Sequence, residues 1–288
     1  MGGPSEEREV SIATGKAVIK ACVENGYAAT EFSFDTNYKK YLKELEKQNI
    51  IFNALHGGIG ENGKIQAWLD ENNIKYTGSG AFSSSLCMDK AASKEIAKRN
   101  GIETPDWQLI KKIDQRVKMT LPFVVKPNDQ GSTVGLSIVK NAQSIQPAID
   151  LAFQHGNKVI IEKFISGREL TIPIINEDAY PIVEINPKNN FYDYECKYTP
   201  GMSDYSCPAD LEQNLVEKIE ANTIRLFHKY DCSVYARADY ILDSSGVPYF
   251  LEMNTLPGMT STSLVPKSAY VRGQSFKKLI KYIIDLSL

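Results

Sequence analysis

Near the end of the chain, the runs VYARADYIL (234–242) and VPYFLEMN (247–254) flank the turn Asp243-Ser244-Ser245-Gly246. With the turn centred on Ser244-Ser245, Arg237 opposes Glu252, Asp239 opposes Phe250 and Tyr235 opposes Asn254. Side chains alternate along strands, so Arg237, Asp239, Glu252 and Asn254 emerge on one face, and Ala238, Tyr240, Leu251 and Met253 share the other, largely apolar one. Asp239 and Glu252 are then diagonal neighbours roughly 7–8 Å apart at the backbone, and with Asn254 they can converge on hard cations. Magnesium fits best, because it takes a few carboxylate oxygens and fills its shell with water and phosphate. The same residues also fit a solvated hairpin face carrying an Arg–carboxylate pair.

A second candidate is VVKP followed by NDQGSTVG, which puts Lys126 at the end of an apolar strand and before a loop rich in backbone N–H groups and hydroxyls. Such a loop can fold over a polyphosphate, with glycines allowing close backbone approach. It is equally a common hairpin turn. Two other glycine patterns fail on inspection. Gly58 to Gly63 matches GxGxxG without the acidic residue about twenty positions on, and Gly58 to Lys64 lacks the hydroxyl after the lysine, where Ile65 stands. His56, beside this loop, reads as an ordinary polar side chain sooner than as a catalytic one.

The elements that must position these residues fall into three stretches. Helical spacing from about Val10 to Asn25-Gly26, the apolar run IIFNAL (50–55) and a helix around Ile65, Trp68 and Leu69 predict a partly parallel sheet with helices on its faces. A helix from Lys90 to Arg99 ends at Asn100-Gly101, and the texture then changes to hairpins: FVVKP with GLSIV, a helix near 143–155, then VIIEKF, ELTIPII and PIVEI. The irregular stretch NNFYDYECKYTPGMSDYSCPAD (189–210) is too long for a simple connector and is a candidate lid. A helix from about 210 to 230, the final hairpin and SFKKLIKYIIDL complete the chain.

Composition excludes several classes. At 288 residues, 42% apolar and 24% charged, the chain can bury more than one core. A net charge of −2 gives no general attraction to nucleic acid or anionic membranes, so any phosphate must be met by a local site. Five scattered cysteines without CxxC spacing argue against a disulfide framework or structural zinc. No run approaches the roughly 18 apolar residues of a membrane span, and the N-terminus is unlike a signal peptide, so a cytoplasmic protein is expected.

Eight ordered motifs now stand together: GGPSEEREVS (2–11), ALHGGIGENG (54–63), YTGSG (76–80), MDK (88–90), VVKP with GSTVG, IEKFISGREL (161–170), YDYECKY (192–198) and LEMNTLPGMTSTSLVP (251–266). Over essentially its whole length the sequence resembles the D-alanine–D-alanine ligase family of the ATP-grasp superfamily. The resemblance implies an α/β N-terminal domain (1–78) followed by two α+β domains (79–163 and 164–288) that clasp ATP with two magnesium ions, manganese being a possible substitute. It implies ligation of two D-alanines through an acyl phosphate, for peptidoglycan synthesis, by a cytoplasmic homodimer. A related ligase using D-lactate or D-serine as second substrate, or a nucleotide-binding protein without turnover, are the alternatives.

Position by position, the resemblance makes Asp239, Glu252 and Asn254 the metal ligands. It sets Lys90, Lys126 and Lys197 against ATP phosphates, Glu162, Lys163 and Ile165 against adenine, and Glu169 against ribose. Arg237 and the Gly258 N–H form an oxyanion hole, Glu7 with His56 meets the first D-alanine, and Ser263 meets the carboxylate of the second. Glu7, Ser132 and Tyr198 form a chain that closes the site, and Tyr198, where D-lactate ligases carry phenylalanine or histidine, favours the dipeptide. Family members begin with an apolar strand leading into the GG of the first motif, whereas here Met1 directly precedes Gly2-Gly3. A sheet lacking that strand loses burial comparable to a sizeable part of a typical stability of about 5–15 kcal/mol, and the departure bears on how Glu7 is held.

Overall fold

The computed structural model describes residues 1–188, 199, 201–260 and 263–288. The helices are α1 (Arg8–Glu24), α2 (Leu42–Leu45), α3 (Lys64–Glu71), α4 (Ala81–Met88), α5 (Lys90–Arg99), α6 (Ile145–His155), α7 (Gln213–Lys229), α8 (Leu264–Val271) and α9 (Phe276–Ser287). The strands are β1 (Trp107–Ile110), β2 (Phe123–Pro127), β3 (Ser137–Val139), β4 (Val159–Lys163), β5 (Gly167–Ile175), β6 (Asp178–Ala179), β7 (Val183–Pro187), β8 (Ser203–Ser206), β9 (Tyr235–Asp243) and β10 (Pro248–Asn254). The helices expected from about Val10 to Asn25, around Ile65, Trp68 and Leu69, from Lys90 to Arg99, near 143–155, from about 210 to 230 and over 275–286 all form, while α4, α8 and β1 carry no clear periodic signal and are additions.

Two antiparallel sheets hold the site. One has the order β1-β4-β2-β3; the other runs β10-β9-β5-β7-β8, with β6 paired to β5. Phe123, Val125 and Ile161 of the first pack on Ile149 and Ala152 of α6. Leu170, Ile172, Ala238, Tyr240 and Phe250 of the second pack on Leu226 and Phe227 of α7 and on Tyr230, which follows it. Burying the apolar half of each alternating strand in this way leaves the other face to polar side chains. The stretch 189–210 is not wholly irregular, since β8 forms the edge of the larger sheet. Of the candidate lid residues before it, 189–198 and 200 lie outside the described residues.

The N-terminal region departs from expectation. The run IIFNAL does not extend a ladder; only isolated parallel bridges join Gly2 to Phe34 and Ile51 to Tyr76. Side chains stand in for ladder partners here. The Asn53 N–H donates to Thr77 Oγ1 at 3.2 Å, and the Leu55 N–H to Asn53 Oδ1 at 3.1 Å. Packing supplies the rest, with Phe34, Leu45, Leu55, Ile65, Trp68 and Leu69 in one cluster and Val18 and Ala21 of α1 joining Leu279, Ile280 and Ile283 of α9 in another.

Helix α5 shows how sequence fixes a site-bearing element. Asp89 caps it, its Oδ1 accepting from the Ala92 N–H at 3.0 Å, while Lys98 and Arg99 complement the dipole in the last turn. Lys90 and Lys94 are one turn apart on its inner face, and both are buried. No helix among the described residues is long and apolar enough to cross a membrane.

Candidate active site

A cleft of about 180 Å³ lies between the two sheets and adjoins one of about 460 Å³ between the larger sheet and the N-terminal region, with a common wall of Lys90, Gly131, Ser132, Arg237, Glu252 and Leu264. Glu7, His56, Asn254, Gly258 and Ser263 line the larger; Lys126, Glu162, Lys163, Ile165, Glu169 and Asp239 line the smaller. All the described residues singled out from the sequence therefore face one cleft or the other. Lys197 and Tyr198 lie outside the described residues.

The β9–β10 hairpin is one residue out of the expected register from Pro248 to Phe250 and two residues out from Glu252 to Asn254. Phe250 pairs with Tyr240, the ladder then shifts, and beyond the shift Glu252 pairs with Asp239 and Asn254 with Arg237. The first residue of offset arises at the turn, and a bulge at Leu251 adds the second: an extra residue on one strand turns the side chains that follow it. Phe250, not Leu251, enters the core, and Leu251 lines the smaller cleft. Asp239 and Glu252 become direct rather than diagonal partners, at the roughly 4.5–5.5 Å Cα spacing of opposed antiparallel residues.

These carboxylates have protein partners. Arg237 Nε and Nη2 meet Asp239 Oδ1 and Oδ2 at 2.9 and 2.8 Å, and Thr171 Oγ1 donates to Oδ1 at 2.5 Å. Lys90 Nζ lies 3.2 Å from Glu252 Oε2 and donates to Gln130 O at 2.6 Å. Asn254 Oδ1 accepts from the Leu256 N–H at 2.9 Å, leaving its second lone pair for another partner. Among the described residues no group of three or more His, Cys, Asp or Glu side chains could hold a metal. Two opposed carboxylates and a carboxamide nevertheless fit a cation that keeps waters and takes phosphate oxygens.

The smaller cleft is backed by a buried charge cluster. Glu162 Oε1 meets Lys126 Nζ at 2.5 Å, and Oε2 lies 2.9 Å from Lys94 Nζ, off the direction of a good hydrogen bond. Burial pushes the Glu162 carboxyl up, but Lys126 and Lys94 prevail and hold it at about 2. For Lys94 burial prevails over Glu162 and lowers the ammonium to about 8. For Lys126 burial is again the largest influence, yet Glu162 and Glu252 together raise it.

The larger cleft is closed by the N-terminal segment. Glu7, immediately before α1, accepts a hydrogen bond from Ser132 Oγ. Ser132 and Thr133 have φ of 50° and 61°, a conformation costing about 1–2 kcal/mol each outside glycine. Gly57, with φ of +66°, admits the Glu7 carboxylate so closely that a Cβ there would lie 2.7 Å from Oε2. His56 is buried between Thr14 Oγ1, 3.0 Å from Nε2, and Glu61 Oε1, 3.4 Å from Nδ1. Across the cleft, a Cβ on Gly258 would stand 3.0 Å from Ser263 Oγ, which accepts from the Thr260 N–H at 3.0 Å at the start of α8.

Sequence reasoning missed Lys94, Glu61, Thr104 and Thr171. The spacing of Lys94 four residues after Lys90 was the one available signal, since it puts both lysines on one helical face.

Two antiparallel sheets facing each other across a cleft lined with lysines and carboxylates define an ATP-grasp architecture. Residues 92–285 match the family described as D-ala D-ala ligase C-terminus. The chain is 41% identical over 287 residues to D-alanine–D-alanine ligase of Syntrophotalea carbinolica, covering 99% of this chain and 93% of that one. Among solved structures it is similar to D-alanine–D-alanine ligase of Bacillus anthracis complexed with ATP, with TM-score 0.87, 35% identity, and coverage of 100% of this chain and 95% of that one. It is also similar to the VanG D-Ala:D-Ser ligase of Enterococcus faecalis, with TM-score 0.86, 26% identity, and coverage of 100% and 98%. The chain belongs to the D-alanine–D-alanine ligase family.

Proposed function

We propose that the protein is an ATP-dependent D-alanine–D-alanine ligase of peptidoglycan synthesis, with ATP in the smaller cleft and the amino acids in the larger. The observation that carries this reading is the common wall: Lys90, Ser132, Arg237 and Glu252 belong to both clefts, so a terminal phosphate and a carboxylate would meet there. A carboxylate is a poor electrophile until one oxygen becomes a leaving group. ATP phosphorylates the first D-alanine with loss of ADP, the amine of the second attacks the acyl carbon, and the tetrahedral intermediate expels phosphate.

The residue roles rest on the family resemblance, and the cleft positions of the described residues support them. Lys90, Lys126 and Lys197 meet phosphates; Glu162, Lys163 and Ile165, which line the smaller cleft, meet adenine, with Glu169 at the ribose. Arg237 and the Gly258 N–H face the developing oxyanion. Glu7 and His56 hold the first ammonium, and Ser263, at a helix N-terminus, holds the second carboxylate. Glu7, Ser132 and Tyr198 exclude water from the acyl phosphate. Asp239, Glu252 and Asn254 would hold two magnesium ions, or manganese, which supply charge to neutralise the phosphates. A three-part division at 78 and 163, a homodimer and a cytoplasmic location complete the proposal on the family resemblance.

Purified protein with ATP and magnesium is expected to release phosphate only when D-alanine is present and to form D-alanyl-D-alanine. Absence of D-alanine-dependent release overturns the reading. Mass analysis of products from mixed D-alanine, D-serine and D-lactate separates the dipeptide ligase from a relative with another second substrate, and ATP binding without turnover would identify a nucleotide-binding protein.

A further inference from the structure

Lys94 is fully buried and lines neither cleft. Its Nζ lies 2.9 Å from Glu162 Oε2 and donates to Thr104 Oγ1 at 2.8 Å, and Thr104 donates onward to Phe250 O at 2.7 Å. On the cleft side, Lys126 Nζ meets the other oxygen of the same carboxylate. One carboxylate is thus bracketed by two ammonium groups, one behind it and one facing the cleft.

Charge counting makes the arrangement informative. Lys126 and Glu162 alone sum to zero, and a buried pair needs no third ion. Adding a buried ammonium is costly, because desolvation opposes it. With Lys94 present the cluster carries one net positive charge, and the only member with an ammonium at the cleft is Lys126. Glu252 is the next charge that both lysines feel.

We propose that Lys94 is a positioning residue for the nucleotide cleft: acting through Glu162, it fixes that carboxylate and shares its charge, so that Lys126 presents net positive charge to the phosphates of a nucleoside triphosphate. This rests on the smaller cleft being the ATP site. Lys94 touches no ligand; Thr104 sets its direction.

Calorimetric titration of ATP with magnesium into the full chain, alongside steady-state kinetics, tests this. Lys94→Met removes the charge at similar length and is expected to raise Kd and KM for ATP about tenfold while leaving KM for D-alanine within about twofold, as loss of a charged hydrogen-bonding partner predicts. Thr104→Val is expected to shift the same quantities about threefold in the same direction, and it decides the matter if Lys94→Met does not fold. ATP affinity close to wild type, or an equal rise in KM for both substrates, overturns the proposal and leaves Lys94 a packing residue. A wild-type protein that binds no ATP overturns the cleft assignment as well.

Discussion

Ser132 Oγ donates a hydrogen bond to Glu7 Oε1, joining the β2–β3 loop to the segment that opens α1. The contact spans 125 residues of sequence. A long-range bond to a charged acceptor, made by a residue held in a left-handed conformation, fixes the loop over the larger cleft.

Ser132→Ala removes that bond without adding bulk. Hydrogen bonds to charged groups contribute about 1.5–3 kcal/mol, so KM for D-alanine is expected to rise tenfold or more. The thermal midpoint is expected to move by only a few degrees, because the loop is outside the core. Calorimetry and initial-rate kinetics check both, and an unchanged KM would separate this contact from substrate binding.

Gly57→Ala should strike the same carboxylate from the other side. The added Cβ collides with Glu7 Oε2, and the left-handed backbone costs about 1–2 kcal/mol besides. Gly58, also left-handed, has only Ser5 Cβ near, at 3.7 Å, so Gly58→Ala pays the backbone cost alone. The first variant is expected to lose D-alanine affinity and the second to lose only stability; equal kinetics in the two would show that Glu7 placement does not matter.

Acid should dismantle the buried cluster in a defined window. Glu162 is depressed from 4.5 to about 2, so its contribution is present above the unfolded value and lost as pH falls from about 4.5 through 2. Its full size is on the order of 3 kcal/mol. For Lys94, depressed from 10.5 to about 8, the unfolded chain binds the extra proton between those values, so stability gains there as pH rises. Denaturant unfolding across pH 2.5–10 reads both slopes, and a flat acid limb would count against the cluster.

Glu252→Gln is expected to lower kcat at least 100-fold with little change in unfolding midpoint. Its side chain is 29% exposed and its pair with Lys90 is 3.2 Å long, so the structural cost is small, whereas a metal site loses one charge. Magnesium titration of activity distinguishes this from damage to Lys90: a variant restored to full rate by more metal supports ligation, and one that keeps near-wild-type kcat throughout contradicts it.

The strand alternation of the final hairpin was legible, because Ala238, Tyr240 and Met253 are apolar and Arg237, Asp239, Glu252 and Asn254 are polar. Its register was not. Alternation names a face, and a bulge at Leu251 inserts one residue without breaking the apolar run, so nothing in the letters marks it. Lys94 escaped notice for a related reason: a lysine on an amphipathic helix reads as solvent-facing, and only the tertiary meeting with Glu162 and Thr104 makes its burial tolerable. Thr171 was hidden inside the apolar run of β5, where its hydroxyl serves Asp239. The run 50–55 misled in the opposite sense, since its apolar content serves packing and its backbone is met by Asn53 and Thr77 rather than by a full ladder.

The six residues common to both clefts have a thermodynamic consequence. A ligand that reorients Arg237 or Glu252 from one side reshapes the surface offered on the other, so the two occupants are coupled, and coupling between binding sites is reciprocal. Whatever nucleotide does to amino-acid affinity, amino acid must do by the same factor to nucleotide affinity. A molecule spanning the wall therefore answers to both equilibria at once.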